Sequence, residues 1–276
     1  MLREGGLVEG RYSVGRLLWS LHELEWWEGL DTIQGGRVLH CVRRGTQCQD
    51  LRIDHAARVE RLVANQDSPR HVLRIFGHAQ VGPDPVFVLE APALSARFLP
   101  DVLAGQALGV EATLKVAKAG LEFLSTLHER GRLRALKPRD LLLDESPSWP
   151  LQVLPDLELP LGLSGIAVTA SRGMIADLPY LPPECVQDSR SVSVAGDLYA
   201  FAGVLYHCLA GRSPYPDEGR GTFPILKKLM AADYTPLAEA CAETPPGLAE
   251  AITRCLATRA ADRLPSAESF LRALAD

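Results

Sequence analysis

Several features are missing from this sequence, and each absence narrows what the chain can be. No two of the six cysteines, Cys41, Cys48, Cys185, Cys208, Cys241 and Cys255, are spaced as CxxC or as a metal-ligand set. That pattern argues against a zinc module and for reduced, structural thiols. Basic charge is not in excess: 29 Lys and Arg stand against 34 Asp and Glu, a net charge of -5. Broad electrostatic attraction to nucleic acid is therefore not expected. The most apolar stretch, "AFAGVLYHCLAG", is too short to cross a bilayer and is preceded by Asp197. The opening "MLREGGLVEG" has no positively charged leader followed by an apolar core. The expectation is a cytoplasmic protein without a membrane span. Internal repeats and low-complexity tracts are also lacking.

What remains is a chain of 276 residues, 47% hydrophobic, long enough to bury a sizeable core. Its first third is strand-like. "RYSVGRLLW", "LEWWEG", "GRVLHCVRR" and "PVFVLEA" are short apolar or alternating runs separated by Gly, Asp and Pro. One amphipathic helix, "DHAARVERLVANQ", interrupts them and ends before Pro69. From about Ala91 the periodicity turns helical. In "GVEATLKVAKAGLEFLSTLHERG", Leu114, Ala117, Leu121, Leu124 and Leu127 recur on one face. "GDLYAFAGVLYHCLAG", "PPGLAEAITRCLAT" and "PSAESFLRALAD" read as further helices, the last with start signals at Pro265 and Ser266.

Five segments of the C-terminal half follow in a fixed order: "LHERG" at 127–131, "LKPRDLLLD" at 136–144, "VLPDLEL" at 153–159, "PPE" at 182–184 and "GDLYAFAGVLYHCLAGRSPY" at 196–215. "ADRLPSAESFLRAL" closes the chain. Together they resemble the bacterial Hanks-type Ser/Thr protein kinase family, whose catalytic loop, DFG turn, APE segment and Asp-led helix come in that order. The resemblance runs over residues 10–275. It implies an α+β, bilobal protein-kinase-like fold: one domain over 1–276, with a small strand-rich N-lobe at 1–90 and a larger helical C-lobe at 91–276.

The residues that would carry the chemistry depart from the family's pattern. Where a kinase has GxGxxG, this chain has "WSLHEL", Trp19 to Leu24, without a glycine. Side chains there obstruct the approach of backbone amides to phosphates. Trp26 stands where a small aliphatic residue faces the adenine, and Leu39 replaces the small residue beneath it. Trp19, Trp26 and Leu39 are thus candidates for occluding the nucleotide, with ordinary core packing as the alternative. Cys41 occupies the position of the phosphate-binding lysine, and His40 points to the opposite face of the strand. The helix glutamate falls on Val59, with Glu60 out of register.

Aligning "LKP" puts Ala135 at the catalytic aspartate, Arg134 at the HRD arginine and Leu133 at the histidine. No acid lies between Glu129 and Asp140, so a shift of register restores no base. Lys137 matches the loop lysine. Asp140 and Asp156 are the residual metal candidates, with backbone bonding and solvation as the plainer alternative. By resemblance, Asp197 supports the catalytic loop, and Glu184 pairs with Arg263. Ser164, Thr169 and Ser171 are candidate regulatory hydroxyls.

The expectation from these residues is a catalytically inactive pseudokinase, not an enzyme, which acts as a scaffold or regulator by binding another protein and uses no cofactor. The alternatives are a switch that binds ATP and Mg²⁺ without turnover, and a residual atypical kinase or nucleotidyl transferase.

Overall fold

The computed structural model describes residues 2–21, 24–43, 72–82, 84–131, 133–144, 151–154, 177–188, 191–219 and 221–274. The expected helix at 54–66, Val59 and Glu60 included, lies outside them, as do Asp156, Ser164, Thr169 and Ser171. The chain divides into two compact units: Met1–Ser68 with Val72–Leu94 and Gln152–Gly165, and Pro69–His71 with Ser95–Leu151 and Ile166–Asp276.

The first unit is built on a six-stranded sheet in the order β1-β2-β3-β4-β6-β5. Its strands are β1 (Leu7–Val8), β2 (Tyr12–Leu21), β3 (Leu24–Asp31), β4 (Arg37–Arg43), β5 (Ile75–Val81) and β6 (Asp84–Glu90), and all pairings are antiparallel. Strand alternation sorts the residues onto two faces. Val8, Tyr12, Val14, Val38, Val42, Val86 and Val88 form one apolar cluster, with Trp27 packed against it. His40 lies on that face, between Val38 and Val42. Its Nε2 is 2.9 Å from the Ser13 carbonyl oxygen, and burial pushes its pKa down. Gly29 makes this fit possible, because a Cβ there would come within 2.3 Å of His40 Nε2 and 2.4 Å of Ser13 O. β6 is buried from Asp84 to Leu89, as befits a strand flanked on both sides in the sheet. β5 is not evident in the sequence, because "IFGHAQV" alternates with a glycine and a histidine in its middle.

The second unit is helical. Its strands β7 (Ala96–Phe98) and β8 (Leu141–Asp144) pair antiparallel, and Ser95 Oγ donates to Asp144 Oδ1 at 2.5 Å. Its helices are α1 (Leu99–Val102), α2 (Val110–Glu129), α3 (Pro183–Gln187), α4 (Val194–Ala210), α5 (Thr222–Met230), α6 (Leu237–Ala240), α7 (Pro246–Cys255) and α8 (Ala267–Ala273). α4 is buried along nearly its whole length, from Gly196 to Tyr206, so it is apolar on every side rather than striped. It starts at Ser193, whose hydroxyl caps the Gly196 N–H, and stops at Gly211 in the left-handed region. α2 crosses it at Gly120, where any Cβ would sit 2.1 Å from the ring of Phe201. α8 starts at Ser266 as its N-cap, and Glu268 in its first turn accepts a hydrogen bond from Ser125 of α2.

Candidate functional site

In the first unit, the residues named from the sequence fall in one row across the sheet. Trp19 lies opposite Trp26, Trp26 opposite Cys41, and Cys41 opposite Phe87. Directly opposed residues project to the same face, so this face carries an apolar wall. Trp26, Cys41 and Phe87 are buried, Trp19 is half-buried, and Leu39 is buried one step along, opposite Leu89. Position 41 therefore holds a buried thiol between two aromatic side chains. Nothing in this row fits the α- and β-phosphates of a nucleotide, which call for a cation.

The second unit holds the loop. Asp197, in the first turn of α4, is 3% exposed and accepts two contacts on Oδ2: the backbone N–H of Arg134 at 2.7 Å and His128 Nε2 at 3.0 Å. A carboxylate placed this deep needs such donors. They tie the end of α2 and the loop at 133–137 to the buried helix. Leu133, at the expected histidine position, is 40% exposed, and the His128 ring at the end of α2 contacts the same Asp197 oxygen as the loop.

Glu184 and Arg263 meet in a bidentate pair, with Arg263 Nη1 to Oε1 at 2.8 Å and Nη2 to Oε2 at 2.7 Å. The same guanidinium donates to the carbonyls of Ala195, Ala257 and Thr258 and lies 4.7 Å over the ring of Tyr199. All its donor directions are used, as a planar fork allows. The pair holds α3, the start of α4 and the segment before α8 together.

Ala135 is half-buried and offers only a methyl group. Asp140 closes a short 3-10 turn, Pro138–Asp140: its Oδ2 accepts the Lys137 N–H at 2.9 Å, and its Oδ1 lies 3.4 Å from Arg134 Nη2. Asp140 is thus held inside the loop, and among the described residues no cluster of three His, Cys, Asp or Glu side chains is suited to a metal ion.

One functional candidate is not evident in the sequence. Asp177, the single acid between Glu158 and Glu184, comes from outside the loop to Lys137 and Arg139. Its Oδ2 lies 3.4 Å from Lys137 Nζ and 2.7 Å from Arg139 Nη2. It leads into the turn Leu178–Tyr180, which is buried, and Tyr180 Oη sits 2.7 Å from His207 Nδ1. Counting acids along the loop could not find it, because the contact spans forty residues of chain. Its isolation between Glu158 and Glu184 was the available signal.

No protein-family model matches the chain. It is 25% identical over 232 residues to the CBL-interacting serine/threonine-protein kinase 21 of Arabidopsis thaliana, covering 82% of this chain and 52% of that protein. It is 30% identical over 171 residues to the serine/threonine-protein kinase PkaB of Streptomyces coelicolor, covering 60% and 39%. To the probable serine/threonine-protein kinase CE0033 of Corynebacterium efficiens it is 23% identical over 273 residues, covering 95% and 40%. The chain thus spans about half, or less, of the length of these relatives. A crystal structure of the Mycobacterium tuberculosis PknI kinase domain, a double mutant, superposes with a TM-score of 0.73 at 19% identity, covering 100% of this chain and 98% of that one.

The fold is therefore that of a protein kinase, with a strand-rich unit and a helical one, and the chain's relatives are Ser/Thr protein kinases, bacterial ones among them. These relatives overturn the expectation that the chain is not an enzyme, since all three bear the name of a kinase and point to enzymatic activity. The expectation rests on three departures in sequence, the glycine-free "WSLHEL", Cys41 and Ala135, and the count of acids along the loop leaves out Asp177. Among the described residues no helix is long and apolar enough to cross a membrane.

Proposed function

We propose that the chain is an atypical relative of the Ser/Thr protein kinases that binds a protein through its helical unit and transfers phosphoryl groups at a low rate. The observation that carries this reading is the pair Lys137–Asp177, a cation and a carboxylate 3.4 Å apart on a loop tied to the buried Asp197. Phosphoryl transfer is catalysed mainly by positioning and by charge stabilisation, and a cation held beside a carboxylate supplies two of the groups it uses. A nucleoside triphosphate would supply the phosphoryl group. Lys137 suits its terminal phosphate, and with one cation named for that role weak nucleotide affinity follows.

The protein-binding part is supported by the retention of the Glu184–Arg263 pair and the Asp197 contacts, which keep the surface around the loop and α3 in one shape.

The test is incorporation of radiolabelled phosphate from Mg·ATP into dephosphorylated casein by the purified chain. Transfer should fall at least tenfold in Lys137→Met. Incorporation no greater than that of the Lys137→Met variant would remove the transferase reading. A thermal titration with Mg·ATP checks nucleotide binding separately, because ligand at 100 times Kd raises stability by about 2.7 kcal/mol. In that titration Asp156→Ala should abolish any metal-dependent part of the shift.

A further inference from the structure

We infer that Asp177 is the carboxylate that receives the acceptor hydroxyl of the protein substrate, in place of the one absent at position 135; this rests on the transferase reading above. The chemical class of acceptor is an alcohol side chain, serine or threonine.

Three observations on the helical unit converge. First, the loop offers no acid at position 135: Ala135 is half-buried and carries only a methyl group. Second, the loop's own acid is engaged elsewhere, since Asp140 holds the Lys137 N–H and faces Arg134. Third, Asp177 approaches the lysine side chain itself, with Oδ2 3.4 Å from Nζ, and its side chain keeps 18% of its exposure, so a bound segment can touch it. Arg139 Nη2 lies 2.7 Å from the same oxygen and holds the carboxylate in place. The backbone behind it is rigid, because Leu178, Pro179 and Tyr180 are buried and Tyr180 is bonded to His207. A carboxylate that is held, reachable and next to the phosphate-seeking cation meets the geometric demand on a proton acceptor.

The step balances within this arrangement. The acceptor O–H bond breaks and its proton passes to Asp177. The acceptor oxygen bonds to the terminal phosphoryl of a nucleoside triphosphate, and the electron pair of the broken P–O bond leaves with the nucleoside diphosphate. Lys137 faces the charge that develops on the phosphoryl oxygens.

The experiment uses the whole chain with dephosphorylated casein and Mg·ATP. Asp177→Asn should lower kcat about 100-fold, with KM for casein raised about fivefold and an unfolding midpoint close to wild type. Adding Ala135→Asp to Asp177→Asn should restore at least tenfold of the loss, since it returns a carboxylate beside Lys137. Asp177→Glu, which keeps the charge but displaces it by one methylene, should lower kcat about tenfold and serves if the Asn variant unfolds. A readout without nucleotide completes the set: a peptide around the labelled casein serine should bind wild type at least fivefold better than its Ser→Ala twin, and Asp177→Asn should erase that difference. If wild type transfers phosphate while Asp177→Asn keeps kcat within threefold, or the peptides bind alike, the role of Asp177 is overturned and the transferase reading stands. If wild type transfers nothing, both fall.

Discussion

The row Trp26–Cys41–Phe87 of the sheet and the network around Asp197 and Arg263 are both deeply buried, yet they are built from opposite materials. In the sheet, aromatic rings and a thiol fill a face with uncharged side chains. In the helical unit, buried charges are kept, and each is matched by hydrogen-bond donors or acceptors. The difference shows where burial tolerates charge: only where the fold supplies partners for every lone pair and proton. The row in the sheet carries no cationic side chain, while the helical unit holds buried charges in pairs.

Cys41→Lys is the strongest way to break this comparison. Inserting an ammonium into the apolar row should destabilise the chain by on the order of 5 kcal/mol, read as a drop in urea midpoint. A loss under about 1 kcal/mol would mean that position 41 accepts charge, and the contrast between the units would fail. Arg263→Ala is next, with about 4 kcal/mol lost because Glu184 and three carbonyls are left unmatched.

A pH series sharpens the same point for a half-buried histidine. Burial lowers the His207 pKa from 6.5 to about 4, so the unfolded chain takes up a proton that the folded chain refuses across that interval. The stability it contributes is complete above about pH 6.5 and is lost as pH falls to about 4, a difference of roughly 2–3 kcal/mol. His207→Asn should flatten that part of the pH dependence of the unfolding free energy. The smallest effect belongs to the surface: Lys115→Ala breaks the exposed pair with Glu111 on α2 and should change stability by about 0.3–0.5 kcal/mol.

Much of the fold was legible from local patterns. The helix Val110–Glu129 follows from its leucine and alanine spacing, and α8 follows from Ser266 as a cap before Phe270 and Leu271. The strands at Tyr12, Leu24, Arg37 and Asp84 follow from short apolar runs between turn residues. β5 was not legible, because its glycine and histidine dilute the period-two signal and its place in the sheet comes from pairing with β6. The site divides in the same way. Cys41, Ala135 and the glycine-free "WSLHEL" are facts of residue identity, and motif order was enough to locate them. Asp177 was not locatable, because its meaning comes from a contact forty residues away in the chain.

The sequence by itself determined which chemical groups the chain owns and which secondary structure each segment prefers, since side-chain type and period act over a few residues. It also determined that the loop carries no acid between Glu129 and Asp140. Only the tertiary structure decided that Lys137 nevertheless faces a carboxylate, that Trp26 is opposed by Cys41, and that His128 joins Arg134 on Asp197. The physical reason is range: propensity and capping are local, whereas charge pairing and close packing act between whichever surfaces the burial of the core brings together.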